Sequence, residues 1–279
     1  MIQVFAVSQD QVEAALELRK LVFPGGEVNV SVQLGQPAKT LRIQAHLPNA
    51  EAVMTLLLVT DALRRGYPGT PIVLSMPYVP YARQDRVANA GEALSARVFC
   101  DLINAQQYAQ VEVQDPHSDV VTALLDRVTI ADPLPSLRRA LASLGAGPDA
   151  APGRRAALVA PDAGARKRVM HLAHALELDV VFAEKVRNTQ TGKITGTQVT
   201  GALPDTPLVV VDDICDGGRT FTELAAALRA RQAEQRLDQP LYLYVTHGIF
   251  SKGLAPLLEH YRTVFTRNNW TDDSRAQLV

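Results

Sequence analysis

The sequence predicts an α/β protein made of two halves, each a mainly parallel sheet flanked by helices. Strand-like and helix-like segments alternate over nearly all of the 279 residues, and this alternation is typical of parallel sheets with crossover helices. A stretch rich in Gly, Ala and Pro at residues 145–153 interrupts the alternation, which then resumes. We therefore expect an N-terminal domain at residues 1–144 and a C-terminal domain at residues 145–279.

In the first half, residues 8–11 (Ser-Gln-Asp-Gln) fit a capping box and predict a helix with Val12, Ala15, Leu16 and Leu18 on its apolar face. Apolar residues alternate with polar ones at 28–34, and this pattern predicts a half-buried strand. Asn49 is expected to cap a helix that Gly66 ends. The other expected elements of this half are strands at 41–47, 71–76, 111–113 and 128–130 and a helix at 94–105.

The second half is expected to contain strands at 156–160, 180–185, 208–211 and 241–245 and helices at 165–178 and 220–231. The strand at 208–211 carries no charge and no polar residue, which predicts burial on both faces. Residues 261–279 give no clear pattern, and we assign them no role.

Composition excludes several classes of protein. Hydrophobic residues make up 47% and charged residues 20% of the chain, typical of a globular protein rather than a disordered one. A formal net charge of −1 argues against a nucleic-acid partner. The longest apolar run, residues 53–60, is too short to cross a bilayer, and no signal peptide is evident. Cys100 and Cys215 lack metal-binding spacing, so we expect two buried thiols and a cytoplasmic protein without a membrane partner.

The most informative segment follows the strand at 208–211 and reads Asp-Asp-Ile-Cys-Asp-Gly-Gly-Arg-Thr (212–220). Its glycines allow a sharp bend that gathers backbone N–H groups, and the next helix, which we expect Thr220 to cap, adds its positive end. Asp212 and Asp213 suit sugar hydroxyls or Mg²⁺, whereas without a partner at the end of an apolar strand they would be costly. The segment therefore predicts a site for a sugar phosphate rather than an ordinary turn.

This segment resembles the phosphoribosyl-diphosphate loop of type I phosphoribosyltransferases and of ribose-phosphate diphosphokinases. The resemblance implies that Asp212 and Asp213 contact the ribose hydroxyls. It also implies that the 5-phosphate is bound by Asp216, Gly217, Gly218, Arg219 and Thr220. Gly217 and Arg219 depart from the usual Asp-Thr-Gly/Ala-Gly-Thr pattern, and the departure removes a threonine hydroxyl that donates to phosphate. A charge-assisted hydrogen bond from Arg219 is one replacement.

A second segment distinguishes the diphosphokinases from the simple transferases. Residues 76–86, Met-Pro-Tyr-Val-Pro-Tyr-Ala-Arg-Gln-Asp-Arg, resemble the segment with which diphosphokinases bind ATP. The resemblance implies ATP contacts from Arg83, Gln84 and Asp85. Arginine suits this role because its guanidinium group binds phosphate in a bidentate way.

A third resemblance involves residues 23–27, Phe-Pro-Gly-Gly-Glu, which are similar to the family's Phe-x-Asp-Gly-Glu turn. In the family this turn supports the adenine of a neighbouring subunit, which implies ATP contacts from Phe23 and Glu27. Gly25 replaces the family's Asp. A plain hairpin turn with Phe23 in the core is a nearly equal alternative.

Three further motifs imply catalytic and metal-binding residues. Gln-Asp-Pro-His-Ser (114–118) resembles a family segment in which a histidine helps to hold magnesium and ATP, which implies that role for His117. Ala-Pro-Asp-Ala-Gly (160–164) resembles Ser-Pro-Asp-x-Gly and makes Asp162 a second candidate ligand for Mg²⁺. Lys185 and Arg187 match the family's Lys-x-Arg at the base of a mobile loop, and with His117 they are the expected catalytic residues.

Together the motifs imply two tandem phosphoribosyltransferase-like domains and a ribose-phosphate diphosphokinase that requires Mg²⁺. Such an enzyme transfers the β,γ-diphosphate of ATP to the anomeric hydroxyl of ribose 5-phosphate and releases AMP. The family also implies a homo-oligomer, a dimer or hexamer, with an ATP site shared between subunits. The alternatives are a phosphoribosyltransferase that consumes the product and a catalytically weak regulatory homologue. Residues 86–94 lack the family's Arg/Ser-rich run, so we expect weak control by phosphate and ADP.

Overall fold

The structure is a computed structural model that describes residues 1–151, 153–187 and 194–279 and, within these, leaves out the side chains of residues 186, 187, 194 and 195. The chain forms two compact units, Met1–Asp132 and Pro133–Val279. Along the chain, the boundary between the units falls before helix α4 (Leu134–Ser143), ahead of the Gly-rich stretch at 145–153. This differs from the expected division after residue 144 because α4 packs Leu137, Ala140 and Leu141 into a core of the second unit.

The first unit contains a sheet of β1 (Ile2–Val7), β2 (Glu13–Leu16), β5 (Thr40–Ala45), β6 (Ile72–Ser75), β7 (Gln110–Gln114) and β8 (Val128–Ala131). Its strand order is β2-β1-β5-β6-β7-β8, and the strands from β5 to β8 are parallel. The helices of this unit are α1 (Ala50–Gly66), α2 (Ser95–Ala105) and α3 (Asp119–Leu124). A separate antiparallel hairpin, β3 (Leu18–Val22) and β4 (Val28–Val32), packs on α1. The expected α/β class is confirmed.

The helix expected after Ser8 is wrong, because this segment forms the β1–β2 hairpin. Ser8 Oγ accepts a hydrogen bond from Val12 N at 3.2 Å, and Ser8 N donates to Val12 O at 3.0 Å. Gln11 turns the chain with φ 62°. The serine therefore satisfies a hairpin turn instead of a helix end, since short polar side chains serve both purposes. The cap at Asn49 is confirmed: its Oδ1 accepts from Ala52 N at 2.9 Å.

The second unit contains a sheet of β9 (Ala157–Ala160), β10 (Val180–Arg187), β11 (Ile194–Thr200), β12 (Leu208–Cys215), β13 (Leu241–Gly248), β14 (Thr263–Asn269) and β15 (Ala276–Leu278). Its order is β11-β10-β9-β12-β13-β14-β15, with only the β10–β11 pair antiparallel among the described strands. The helices are α4, α5 (Arg166–Leu176), α6 (Arg219–Gln235) and α7 (Ala255–Leu258). The carboxyl ends of β9, β12 and β13 therefore lie along one edge of the sheet.

Burial follows the predicted pattern at the centre of this sheet. Residues 208–211 of β12 are all inaccessible to solvent, as expected for a strand covered on both faces. The C-terminal residues, which the sequence left without a role, supply β14 and β15 and place Val264 and Phe265 in the core.

Cys100 and Cys215 are free and buried. No helix among the described residues is long and apolar enough to cross a membrane.

Candidate active site

The predicted phosphate loop joins β12 to α6. Helix α6 begins at Arg219, and its N-cap is Gly218, which has φ 78° and no side chain to cap the helix. The expected cap by Thr220 is therefore wrong, since Thr220 already lies inside the first turn. The positive φ favours glycine here, and a Cβ at Gly218 would also lie in tight contact with Leu257 Cδ2, at 3.3 Å. A helix start without a side-chain cap is a common place for an anion to bind.

Asp212 and Asp213 lie side by side at the end of β12. Asp213 N donates to Asp212 Oδ1 at 3.0 Å, and Arg168 Nη1 lies 3.6 Å from Asp212 Oδ1 and 3.4 Å from Asp213 Oδ1. Burial, followed by the charge of Asp213, raises the pKa of Asp212 well above its usual value, although Arg168 acts in the opposite direction. The carboxylates are thus held close together by one cation and present acceptor oxygens suited to vicinal hydroxyls.

Arg168 is a site residue that sequence reasoning missed. It lies on α5, with 17% of its side chain exposed, and it contacts the two carboxylates from a neighbouring element. The only signal in the sequence was the charged start of that helix, Arg166-Lys167-Arg168, and helical spacing alone does not identify which of three cations turns inward.

The loop after β13 supports the phosphate loop. Ile249 N and Phe250 N donate to Cys215 O at 2.9 and 3.0 Å. Ser251 N donates to Asp216 O at 3.1 Å, and Ser251 Oγ donates to Asp216 Oδ1 at 2.6 Å. The sequence suggested no definite role for residues 246–251. The structure shows that they fix the backbone and one carboxylate of the phosphate loop.

Lys185 and Asp162 form an ion pair at the carboxyl ends of β10 and β9. Lys185 Nζ lies 2.7 Å from Asp162 Oδ2, and about a quarter of each side chain is exposed. Asp162 Oδ1 accepts from the backbone N–H groups of Gly164 and Ala165 at 3.0 and 3.2 Å. Burial opposes ionisation of Asp162, but Lys185 and the two N–H groups outweigh it and lower its pKa. The structure thus brings together two residues that the motifs singled out separately.

Arg187, the second expected catalytic cation, ends strand β10. Its side chain and residues 188–193, which follow it, lie outside the described residues. The role of Arg187 stays a prediction.

In the first unit, residues 76–86 form an irregular segment after β6. Met76, Val79 and Ala82 are buried and fix the segment, whereas Arg83 and Gln84 are exposed. Backbone hydrogen bonds tie Gln84 to its surroundings: its N–H donates to Tyr81 O at 2.8 Å, and its C=O accepts from Ala96 N at 3.2 Å. Asp85, the third expected ATP contact, is half-buried. The segment therefore presents polar side chains from a rigid backbone.

Residues 23–27 form the turn of the β3–β4 hairpin. Phe23 N donates to Glu27 O and Gly26 N donates to Phe23 O, both at 2.8 Å. The alternative of a plain hairpin turn predicts the backbone correctly. Its placement of Phe23 in the core is wrong, because 44% of Phe23 is exposed. Glu27 is also exposed.

His117 is exposed and lies just beyond β7. Asp115, two residues earlier, turns the chain with φ 39°, and Ser118 Oγ caps α3 by accepting from Val120 N at 3.1 Å. The described residues contain no group of three or more His, Cys, Asp or Glu side chains able to hold a metal ion.

Comparison with known proteins identifies the family. A model of the phosphoribosyl transferase domain matches residues 137–237, and a model of the N-terminal domain of ribose phosphate pyrophosphokinase matches residues 16–106. A ribose-phosphate pyrophosphokinase of Pyrococcus furiosus is 31% identical over 243 residues, which cover 85% of this chain and 79% of that protein. The chain belongs to the ribose-phosphate pyrophosphokinase family.

Other pyrophosphokinases match over a smaller share of their length. The ribose-phosphate pyrophosphokinase of Bradyrhizobium diazoefficiens is 30% identical over 75% of this chain, and that of Granulibacter bethesdensis is 31% identical over 74%. The matches span 62% and 63% of the length of these two relatives. A crystal structure of phosphoribosylpyrophosphate synthetase from Mycobacterium smegmatis superposes with a TM-score of 0.77 at 23% identity, covering 91% of this chain and 80% of that one. This likeness confirms the expected fold of two phosphoribosyltransferase-like domains.

Proposed function

We propose that the chain is a ribose-phosphate diphosphokinase. It transfers the β,γ-diphosphate of ATP to the anomeric hydroxyl of ribose 5-phosphate, which gives 5-phosphoribosyl 1-diphosphate and AMP. The observation that carries this proposal is the carboxylate pair, bound by Arg168 beside a glycine turn that opens a helix, in a chain that also carries the pyrophosphokinase N-terminal domain.

Ribose 5-phosphate is assigned to the second unit. Asp212 and Asp213 accept hydrogen bonds from the ribose hydroxyls, since their oxygens lie together and Arg168 offsets their charge. The backbone N–H groups at the start of α6 bind the 5-phosphate. The support from Ser251 keeps this loop in one conformation before the substrate arrives, which reduces the entropy lost on binding.

ATP is assigned to residues of the first unit, namely Phe23, Glu27, Arg83, Gln84, Asp85 and His117. Arg83 is exposed on a fixed backbone and suits a phosphate oxygen pair, while the exposed ring of Phe23 suits the face of adenine. Because the family shares its ATP site between subunits, we further propose a homo-oligomer, a dimer or hexamer, in which the β3–β4 turn serves a neighbouring subunit. Free, buried Cys100 and Cys215 support a cytoplasmic setting.

Mg²⁺ is the proposed cofactor, with Asp162 and His117 as its candidate protein ligands. Mg²⁺ is usually held by one or two carboxylates together with substrate phosphates. A single ionised carboxylate at Asp162, without a larger cluster among the described residues, fits this mode. When bound, the ion would neutralise charge on the phosphate oxygens of ATP.

Lys185 and Arg187, two residues apart in the sequence, are the proposed catalytic cations. Transfer of a diphosphoryl group depends on in-line positioning and on stabilisation of charge that develops on phosphate oxygens. The ammonium group of Lys185 is paired with Asp162 at the carboxyl edge of the sheet, and negative charge that develops on the phosphate oxygens would compete with Asp162 for it.

The direct test is formation of AMP from ATP and ribose 5-phosphate with Mg²⁺ and no nucleobase. We expect AMP in amounts equal to the ribose 5-phosphate consumed, and none when ribose replaces it. Absence of AMP, together with release of diphosphate from 5-phosphoribosyl 1-diphosphate when a nucleobase is added, would instead identify a phosphoribosyltransferase. Parallel reactions with other nucleoside triphosphates give the donor preference.

One observation favours the second candidate, a catalytically weak regulatory homologue. The phosphate loop lacks a threonine hydroxyl at Gly217, and Arg219, its expected replacement, is paired with Glu223 at 2.6 Å and points along α6. Binding of ribose 5-phosphate and ATP without any AMP formation would support this candidate.

A further inference from the structure

We propose that Lys252, on the loop after β13, is a binding residue for the 5-phosphate of the sugar substrate. It supplies the side-chain contact that neither Gly217 nor Arg219 makes. This inference rests on the proposed function, because it names an additional residue of the same phosphate site.

Lys252 lies next to the space that a side chain at Gly217 would fill. Its φ lies outside the left-handed region, so the backbone does not require glycine at this position, in contrast to Gly218 with φ 78°. A Cβ built on Gly217 would meet nothing closer than Lys252 Cγ, at 3.8 Å. The aliphatic stem of Lys252 therefore lies beside the exposed glycine, within van der Waals contact of a side chain that began at position 217.

Arg219 is directed elsewhere. Its Nε lies 2.6 Å from Glu223 Oε1, one helical turn further along α6, and 87% of its side chain is exposed. This pairing aligns the guanidinium group with the surface of the helix and satisfies it with a carboxylate. A phosphate at the start of α6 would have to compete with Glu223 for Arg219.

The charge balance of the loop calls for another cation. Residues 212–220 carry three carboxylates, Asp212, Asp213 and Asp216, against the single cation Arg219. Arg168 offsets the first two from outside the loop, and Asp216 accepts from Ser251. A dianionic phosphate would be repelled by this loop unless a positive side chain stood near, since like charges in a partly buried site cost free energy.

Lys252 is held at the correct place by its neighbour. Ser251 binds Asp216 through both its backbone N–H and its hydroxyl, at 3.1 and 2.6 Å, which fixes the backbone next to Lys252 against the phosphate loop. The Lys252 side chain is exposed, and its ammonium group forms no ion pair with the residues that the structure describes. A tethered backbone and a flexible, uncommitted ammonium group are suited to closing over a phosphate once it binds.

The experiment measures binding of ribose 5-phosphate by titration calorimetry in the absence of ATP, with inorganic phosphate and ribose as additional probes. The test variants are Lys252→Ala and Lys252→Arg. The matched control is Arg262→Ala, which also removes one positive charge from an exposed side chain. Arg262 precedes β14, so it lies at the amino ends of the parallel strands, whereas the phosphate loop lies at their carboxyl ends. Thermal unfolding without ligand checks that each variant is folded.

We expect Lys252→Ala to raise the Kd for ribose 5-phosphate about tenfold or more, the loss typical of a hydrogen bond to a charged group. Lys252→Arg should stay close to wild type, Arg262→Ala should have no effect, and the affinity for ribose should not change in any variant. Adding Gly217→Thr to Lys252→Ala should recover part of the loss, because a threonine hydroxyl then occupies the vacated space.

Equal affinities in Lys252→Ala and Arg262→Ala, with a wild-type protein that binds ribose 5-phosphate, would overturn this inference and leave the proposed function intact. Failure of the wild-type protein to bind ribose 5-phosphate would overturn the proposed function itself. A loss of affinity for ribose in Lys252→Ala equal to that for ribose 5-phosphate would also contradict the assignment, since the contact would then not be to the phosphate.

Discussion

Replacing Lys185 with Ala removes the cation that we propose stabilises the reacting phosphates. In the structure its ammonium nitrogen lies 2.7 Å from Asp162 Oδ2, and 28% of the side chain is exposed. At an effective dielectric constant of about 20, two unit charges about 4 Å apart interact by about 4 kcal/mol. Since each 1.36 kcal/mol in the barrier changes a rate about tenfold, we expect turnover to fall by about 10²- to 10³-fold.

Two other properties should change much less. Strand β9 separates β10, which carries Lys185, from β12, which leads to the phosphate loop. The Kd for ribose 5-phosphate should therefore stay within about twofold, well under the tenfold change that 1.4 kcal/mol produces. The free energy of unfolding should fall by only about 0.2–1 kcal/mol, because the ion pair is partly exposed and Asp162 keeps its two backbone N–H partners.

The assay is initial-rate AMP formation at saturating substrates, combined with calorimetry for ribose 5-phosphate. The matched control is Glu184→Gln, the preceding residue on β10, whose ion pair with Arg166 lies on the surface. This control should keep turnover within about twofold, since an exposed pair contributes little. Equal losses of turnover and of ribose 5-phosphate affinity in Lys185→Ala, or an equal loss of turnover in the control, would refute the proposed catalytic role.

Removal of the cation should also be visible in the titration of Asp162. Lys185 helps to lower the pKa of this carboxyl, so the pKa should rise in Lys185→Ala, as followed by NMR of the side-chain carboxyl carbon. The pKa of Asp162 in the folded wild-type protein lies below its value in the unfolded chain. The ion pair therefore stabilises the fold at any pH above the unfolded-state pKa, and this stabilisation is lost as the pH falls through the folded-state pKa. The stability difference between the two proteins should therefore shrink on acidification, and a constant difference would argue against the ion pair in solution.

Three further predictions concern the same site and its regulation. Asp212→Asn should stabilise the fold, and more at neutral than at acidic pH, because the raised pKa of Asp212 makes its ionisation unfavourable in the folded state. Unfolding curves at both pH values would show this. Calorimetry should nevertheless show that ribose 5-phosphate binding is lost. Gly218→Ala should cost about 1 kcal/mol or more of stability and weaken ribose 5-phosphate binding, because φ is positive at Gly218. Gly217→Ala should leave stability nearly unchanged, because φ at Gly217 lies outside the left-handed region. ADP should inhibit only in competition with ATP, because residues 86–94 lack the family's basic run, and inhibition at saturating ATP would contradict this.

Patterns that involve a single element were predictable from sequence. The uncharged residues 208–211 of β12 and the helix after Asn49 were recognised because a buried parallel strand and a capped amphipathic helix each produce a local signature. The helix predicted after Ser8 failed for the same reason that made it plausible, since a serine hydroxyl satisfies a hairpin turn as well as a helix end. Strands β14 and β15 were missed because their place in the sheet depends on pairing with the neighbouring strand rather than on local pattern.

The candidate site shows a similar limit. The glycine turn and the carboxylates of the phosphate loop were identified from the order of residues along the chain. Arg168 and Ser251 were not, because each reaches the loop from another element and only the fold brings them there. Likewise the motifs named Lys185 and Asp162 separately, and their 2.7 Å ion pair appeared only once β9 and β10 were placed side by side.

The central claim, transfer of an intact diphosphate from ATP to ribose 5-phosphate, is tested most directly by ³¹P NMR of the reaction mixture with Mg²⁺. The account predicts that the ATP signals are replaced by AMP and by the two coupled phosphorus signals of a diphosphate attached to the sugar, with the 5-phosphate signal retained. Formation of ADP with a sugar bisphosphate, or of ADP and inorganic phosphate, would contradict it.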